Sequence, residues 1–288
     1  MGSHQRKDLL ASIRGQTVVM PNMRPIFEKY TGEPNPNYRA LIPVVDRKLE
    51  SLEPNEKRLA KLKTADFALF ASHSPNRSPP TASHPIIEGF RVIGDELRTA
   101  YTIEQRQNLF EDLKFYIGTT ETEQRFHLDG KLPTLKEYWE VRMGTSAVAA
   151  CLAMIEFTNK IKGPYRSTNH PLLKALSDEA NIIVIMQKEI VQGCLDSLIP
   201  LSVSVCGGVQ QAIDRAQTDL LAAVDRFDAE AEKILSGPNT TGFSDRELRI
   251  FVDGCRDCWV GNFNWSLCTG RYGLDAIDQK GGSFNLSL

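Results

Sequence analysis

The chain has 288 residues, a formal net charge of -2 and 41% hydrophobic residues. That length holds one large domain or two small ones and suffices to bury a core around an internal cavity. A charge so close to zero, with no basic stripe, gives no electrostatic basis for nucleic-acid binding.

No run of about 18 apolar residues occurs, so no membrane span is expected. The opening MGSHQRKDLL lacks the apolar region of a signal peptide, and a cytoplasmic protein is expected.

Residues 1–40 are rich in Pro and Asn, as in MPNMRPIFEKYTGEPNPNYRAL, and predict an extended N-terminal strap. A single α-helical domain is expected over 41–288. Helical periodicity begins at Leu41 with IPVVDRKLESL and continues through NEKRLAKLKTADFALFA. Residues 72–85, SHSPNRSPPTASHP, hold four prolines and four serines in fourteen positions, which excludes a helix. This loop is long for a compact helical domain. Amphipathic patterns return over 86–100 and 103–124, the second with Thr102 as its N-cap. The turn HLDGKLP at 127–133 leads into a helix that Thr134 can cap. Residues 171–200 predict one strongly apolar helix at the centre of a bundle. Long helices over 207–236 and 244–272 complete the chain. Strand signals are almost absent, so the fold class is all-α.

Six cysteines stand at 151, 194, 206, 255, 258 and 268. Without a secretory signal they do not predict a disulfide framework. Cys255-Arg-Asp-Cys258 has the spacing of a metal or redox pair, but no second pair lies at zinc spacing. Two small helical cysteines are the better account.

Three segments carry chemistry. In Asn181-Ile-Ile-Val-Ile-Met-Gln-Lys188-Glu189, the residues Asn181, Ile185 and Glu189 share one helix face. So apolar a helix should avoid Asn, Lys and Glu unless they meet a polar cavity, a solvent side or a helix end. In Tyr138-Trp-Glu-Val-Arg142-Met-Gly-Thr145-Ser146, a cation precedes small residues that weaken the helix. A break there would expose carbonyls and a helix end to a ligand, whereas a surface arginine before a packing contact is the plainer reading. In Asn264-Trp265-Ser-Leu-Cys-Thr-Gly-Arg271-Tyr272, an arginine and a phenol close a long helix. The helix dipole alone favours Arg there, and Arg with a phenol also suits phosphate.

Taken in order, these segments resemble the microbial class I terpene synthases, the fungal sesquiterpene cyclases especially, from about Gln16 to Tyr272. LPTLKEYWEVRMGTSAV is similar to the family's Pro-x-x-x-x-Tyr-x-x-x-Arg helix. The resemblance makes Arg142 the diphosphate sensor, Thr145 the linker and Ser146 the effector. ALSDEANIIVIMQKE stands where the family has Asn-Asp-x-x-Ser-x-x-x-Glu, with Asn181, Lys188 and Glu189 matching. NWSLCTGRY resembles the terminal Arg-Tyr motif, Arg271 and Tyr272. The implied fold is a helical bundle around a central apolar cavity, with Phe67, Phe70 and Trp265 as candidate lining aromatics. Core packing explains each aromatic equally well. The implied partner is a small-molecule terpenoid, and a homodimer is in keeping with the family.

The departures are specific. No acidic pair with a third acid at family spacing follows TADFALFA; the Pro/Ser-rich segment stands instead. In the second motif Ile185 replaces the serine and Ile182 the acid after Asn181. Magnesium requires near-octahedral oxygen ligands, so a three-metal cluster is not expected. A residual site would be Asn181 and Glu189 with one weakly held magnesium and substrate. The anion-binding groups Arg142, Lys188, Arg271 and Tyr272 survive. The expected function is a non-canonical terpene cyclase-like enzyme of secondary metabolism. It would form rings, or C–N or C–O bonds, through carbocations, from a terpenoid substrate, one already oxidised included, without the usual three-magnesium cluster. Arg142, Lys188, Glu189 and Tyr272 are its expected catalytic groups. A binding protein without catalysis, and a metal-poor farnesyl diphosphate cyclase, are the alternatives.

Overall fold

A short helix, α1 (Gly2–Ile13), opens the chain, followed by strand β1 (Thr17–Met20) and helix α2 (Arg24–Glu28). This computed structural model describes residues 2–30, 91–161, 170–191, 197–268 and 283–287. The expected extended strap is therefore corrected to helix over Gly2–Ile13 and Arg24–Glu28, while Thr17–Met20 is extended. The Pro and Asn residues that suggested it lie after α1, and Pro25 sits in the first turn of α2, where a missing N–H costs nothing. The segment is anchored, not draped. Phe27 packs on Phe263 at 4.2 Å between ring centroids and on Trp259 at 5.7 Å. The Tyr30 hydroxyl donates to Asp228 at 2.5 Å.

The bundle follows. Helices α3 (Arg91–Ala100), α4 (Ile103–Asp129), α5 (Leu135–Thr145) and α6 (Val148–Thr158) precede α7 (Pro171–Val191). Helices α8 (Leu198–Cys206), α9 (Val209–Ser236) and α10 (Asp245–Cys268) come next, then strand β2 (Phe284–Ser287). β2 pairs antiparallel with β1, Val19 opposite Asn285. Gln210 of α9 satisfies the free edge: its Oε1 accepts from the Val19 amide at 2.8 Å and its Nε2 donates to the Val19 carbonyl at 3.1 Å.

Three tetrads set helix starts. Thr102 with Gln105, Thr134 with Glu137 and Ser244 with Glu247 each form a capping box, and each satisfies two backbone donors reciprocally. Gly130, at φ 63°, ends α4 in the left-handed conformation that costs glycine least. α7 lies at the centre and packs on α5, α6, α8, α9 and α10. Its Leu173, Leu176, Ala180, Ile183 and Ile185 are fully buried.

The expected single helix over 171–200 is corrected to two helices, with α8 beginning at Leu198. Pro200 falls in the first turn of α8, a position it tolerates, so it marks a start and not an end. The loop expected at 72–85 and the helical patterns of 41–71 lie outside the described residues. Leu135–Thr158 has the length and composition of a membrane span. Ala147, at φ 61°, divides it into two helices of 11 residues, each short of the ~20 that a span needs.

Two glycines allow close helix approach. A methyl added at Gly144 of α5 would overlap the Thr119 side chain of α4, and one at Gly254 of α10 would meet Ile155 Cγ2 at 2.6 Å. At Gly118 of α4 nothing lies within 4 Å. Gly144→Ala is therefore expected to cost about 1–3 kcal/mol through overpacking. Gly118→Ala should stabilise by about 0.5–1 kcal/mol through helix propensity. Urea midpoints of both variants check the pair.

Candidate functional site

The break between α5 and α6 is built from a turn and a clamp. Helix α5 ends at Thr145, and Ala147 takes the left-handed conformation. A non-glycine residue there costs about 1–3 kcal/mol and persists only where its surroundings enforce it. Asn181 of α7 supplies the enforcement. Its Oδ1 accepts from the Ser146 hydroxyl at 2.7 Å, and its Nδ2 donates to the Met143 carbonyl at 2.8 Å. Ser146 Oγ also accepts from the Val148 amide at 3.3 Å. Asn181 and Ser146 are both buried. A buried amide is tolerated only with its hydrogen bonds made, and here both ends are engaged.

Beside this clamp lies a cavity of about 310 Å³, at the low end of the roughly 300–1,000 Å³ of ligand pockets. α4 contributes Asn108, Glu111, Asp112 and Phe115; α7 contributes Lys174, Ser177, Asp178 and Asn181. Each set runs i, i+3, i+4, i+7, which is one face of a helix. Met143, Ala149, Leu152, Ala153 and Phe251 supply the apolar wall. Lys174 Nζ pairs with Asp178 at 2.5 Å. Asp112 Oδ2 and Ser177 Oγ are buried and have no hydrogen-bond partner among the described residues. Burial pushes the Asp112 carboxyl up to about 6; Glu156 and Glu111 add to the effect and Lys174 opposes it.

The expected site residues are only partly brought together. Ser146 meets Asn181. Arg142 instead lines a small recess of about 20 Å³ with Glu123, Phe126, His127 and Tyr138, and Thr145 Oγ1 stands 3.5 Å from Glu123. Both therefore face the C-terminal half of α4 and not the cavity. Lys188 is half-buried. Burial pushes the Cys258 thiol up to about 12, Cys151 adds to the effect, and the Lys188 charge opposes it. The expected cavity role of Trp265 is corrected: it is 45% exposed, off the buried stripe of Phe251, Cys255, Trp259 and Phe263. Cys255 and Cys258 are free thiols within α10. Phe67, Phe70, Arg271, Tyr272 and the Glu189 side chain lie outside the described residues.

Residues 40–196 match the family model described as terpene synthase family 2, C-terminal metal binding. That is more than half of the chain. The chain belongs to this family. It is a terpene cyclase-like enzyme. Among its relatives, sesquiterpene cyclase hepA of Aspergillus oryzae is 27% identical, with 93% of this chain and 92% of that protein covered. Sesquiterpene synthase 6 of Postia placenta is 30% identical over 57% of this chain and 49% of that one. Of solved structures, the linalool/nerolidol synthase of Streptomyces clavuligerus in complex with 2-fluorogeranyl diphosphate has a TM-score of 0.65 at 15% identity, covering 92% of this chain and 96% of that one. The α-eudesmol synthase structure has a TM-score of 0.62 at 17% identity, covering 86% and 77%. These two likenesses establish the all-α fold.

The segment that resembles the family's second metal motif departs from it. The position of its serine is Ile185, fully buried in the core. The amide of Asn181 is spent on the helix break. Among the described residues no group of three or more His, Cys, Asp or Glu side chains is placed to hold a metal ion. The comparison with hepA spans 344 positions, 56 more than the 288 residues of this chain, so at least that many positions have no counterpart here.

The cavity residues Asp112, Ser177, Lys174 and Asp178 escaped the motif-based reading. Their signal was available as two polar stripes, 108–115 and 174–181, at identical helical spacing. Asn181→Ala should lower the stability of the metal-free protein by about 1–3 kcal/mol, because it removes the buried amide that bonds both the Ser146 hydroxyl and the Met143 carbonyl. A residue serving only as a metal ligand would leave that stability nearly unchanged. Urea unfolding in EDTA measures the difference.

Proposed function

We propose that this terpene synthase family member is a non-canonical cyclase of secondary metabolism. It acts on a farnesyl-derived terpenoid, already oxidised to an epoxide or allylic alcohol, through carbocation-type cyclisation or C–N or C–O bond formation. The engaged amide of Asn181 carries the reading. A side chain that clamps Ser146 and the Met143 carbonyl is committed to the helix break, so in the ordinary trigger, metal-assisted loss of diphosphate, a magnesium ion would have to share its one oxygen with the Ser146 hydroxyl.

Other observations support the reading. The cavity is not filled by side chains, as it would be in a scaffold role, although Arg142 lines a separate recess. Phe115 and Phe251 border it, and aromatic faces stabilise cations. Its polar groups include two buried oxygens without partners among the described residues, which suits a substrate carrying its own oxygen. The sesquiterpene names of the relatives suggest the farnesyl skeleton. Lys188, Glu189, Arg271 and Tyr272 stand as the proposed polar rim, and Arg142 is turned toward α4.

Incubation with farnesyl diphosphate and with oxidised farnesyl compounds, each with magnesium or with EDTA, tests the proposal by mass spectrometry of the products. Conversion of an oxidised terpenoid that is unchanged by EDTA is expected. Turnover confined to farnesyl diphosphate and abolished by EDTA would overturn it.

A further inference from the structure

We infer that Asp112 is the proton-transfer group of the cavity, donating a proton to a neutral terpenoid bound there and taking one back. This rests on the proposed terpenoid chemistry and adds to it the trigger that chemistry needs.

The geometry singles out Asp112. It sits on the polar stripe of α4 and faces the stripe of α7 across the cavity. Its Oδ2 is buried and, among the described residues, unpartnered; so is Ser177 Oγ on the opposite wall. Burying polar atoms without partners costs about 1–3 kcal/mol each, and a bound oxygen function between them would satisfy both. The other acids nearby are engaged. Glu156 accepts from Gln105 at 2.7 Å, Glu111 from Gln107 at 2.9 Å, and Asp178 is paired with Lys174. That pairing directs the cation of the cavity toward Asp178. Glu111 on the same helix and Glu156 on α6 repel a charge on Asp112, and burial disfavours that charge most of all. The neutral acid therefore persists up to about pH 6, close to the working range where a general acid is most effective.

The step balances without a co-reactant. The Asp112 carboxylic acid gives its proton to the epoxide oxygen, a C–O bond breaks, and a carbocation and the Asp112 carboxylate result. A double bond of the substrate attacks the cation and forms a C–C bond. The carboxylate then removes a proton from the carbon beside the new cation, forming a double bond and restoring the acid. The net change is an isomerisation, and no oxidant or reductant takes part.

The test uses the full chain, its Asp112→Asn and Asp112→Glu variants, and a farnesene epoxide, whose only polar atom is an acceptor. Turnover by the wild type should be full below about pH 6 and fall about tenfold per unit above it, because the acid is the active form. Asp112→Asn should lose about 10²-fold or more in rate, keep its circular dichroism spectrum and still bind the epoxide. Asp112→Glu should regain part of the rate. Turnover by Asp112→Asn within about threefold of wild type would overturn the inference and leave the proposed function standing. Absence of turnover by the wild type would count against the proposed function, and epoxide binding would then decide on Asp112. Affinity that falls above pH 6 in the wild type but not in Asp112→Asn supports its role as donor. Affinity with equal pH dependence in both overturns it.

Discussion

One amide holds the functional half of the molecule in shape. Asn181 reaches from the central helix to the Ser146 hydroxyl and the Met143 carbonyl, and it adds a tertiary tie to the local bonds that hold the left-handed Ala147. The break it fixes turns α6 away from α5. That turn brings Met143, Ala149 and Leu152 to the same cavity wall. The clamp is buried, so it cannot be exchanged for water at small cost. A metal ion on this side chain would have to share Oδ1 with the Ser146 hydroxyl, which already holds it at 2.7 Å. Structure and chemistry are therefore coupled at this residue.

Around the clamp, polarity is sorted by helix face. α7 buries Leu173, Leu176 and Ile183 against its neighbours and turns Lys174, Ser177, Asp178 and Asn181 to the cavity. α4 answers with Asn108, Glu111 and Asp112. Among the described residues carboxylates thus outnumber cations on the cavity wall, a poor setting for an anionic diphosphate by simple Coulomb repulsion. The same wall suits a neutral ligand carrying an oxygen function. The two readings advanced above, an oxidised terpenoid and a proton-transferring Asp112, draw on this one feature.

Much of this was legible in the sequence, and the failures have physical causes. Thr102, Thr134 and the small residues after Arg142 announced the caps and the break, because capping and propensity act over a few residues. The centrality of α7 followed from its apolar composition. The N-terminal helix was hidden by prolines that lie beyond it or sit harmlessly in a first turn. The facing of Arg142 was not legible from the motif. Adjacent helical residues point about 100° apart, so with Met143 at the cavity, Arg142 turns to Glu123 and His127. Trp265 misled similarly: an aromatic in the right motif, one helical step off the buried stripe. The cavity acids were missed because motif order was followed instead of face.

The central claim is that Asn181 serves the fold in place of a metal. Anomalous diffraction from crystals grown with manganese and inorganic pyrophosphate tests it most directly. The account predicts no metal peak on Asn181, with its bonds to Ser146 and the Met143 carbonyl intact. A manganese ion ligated by Asn181 and bridged to pyrophosphate would contradict it.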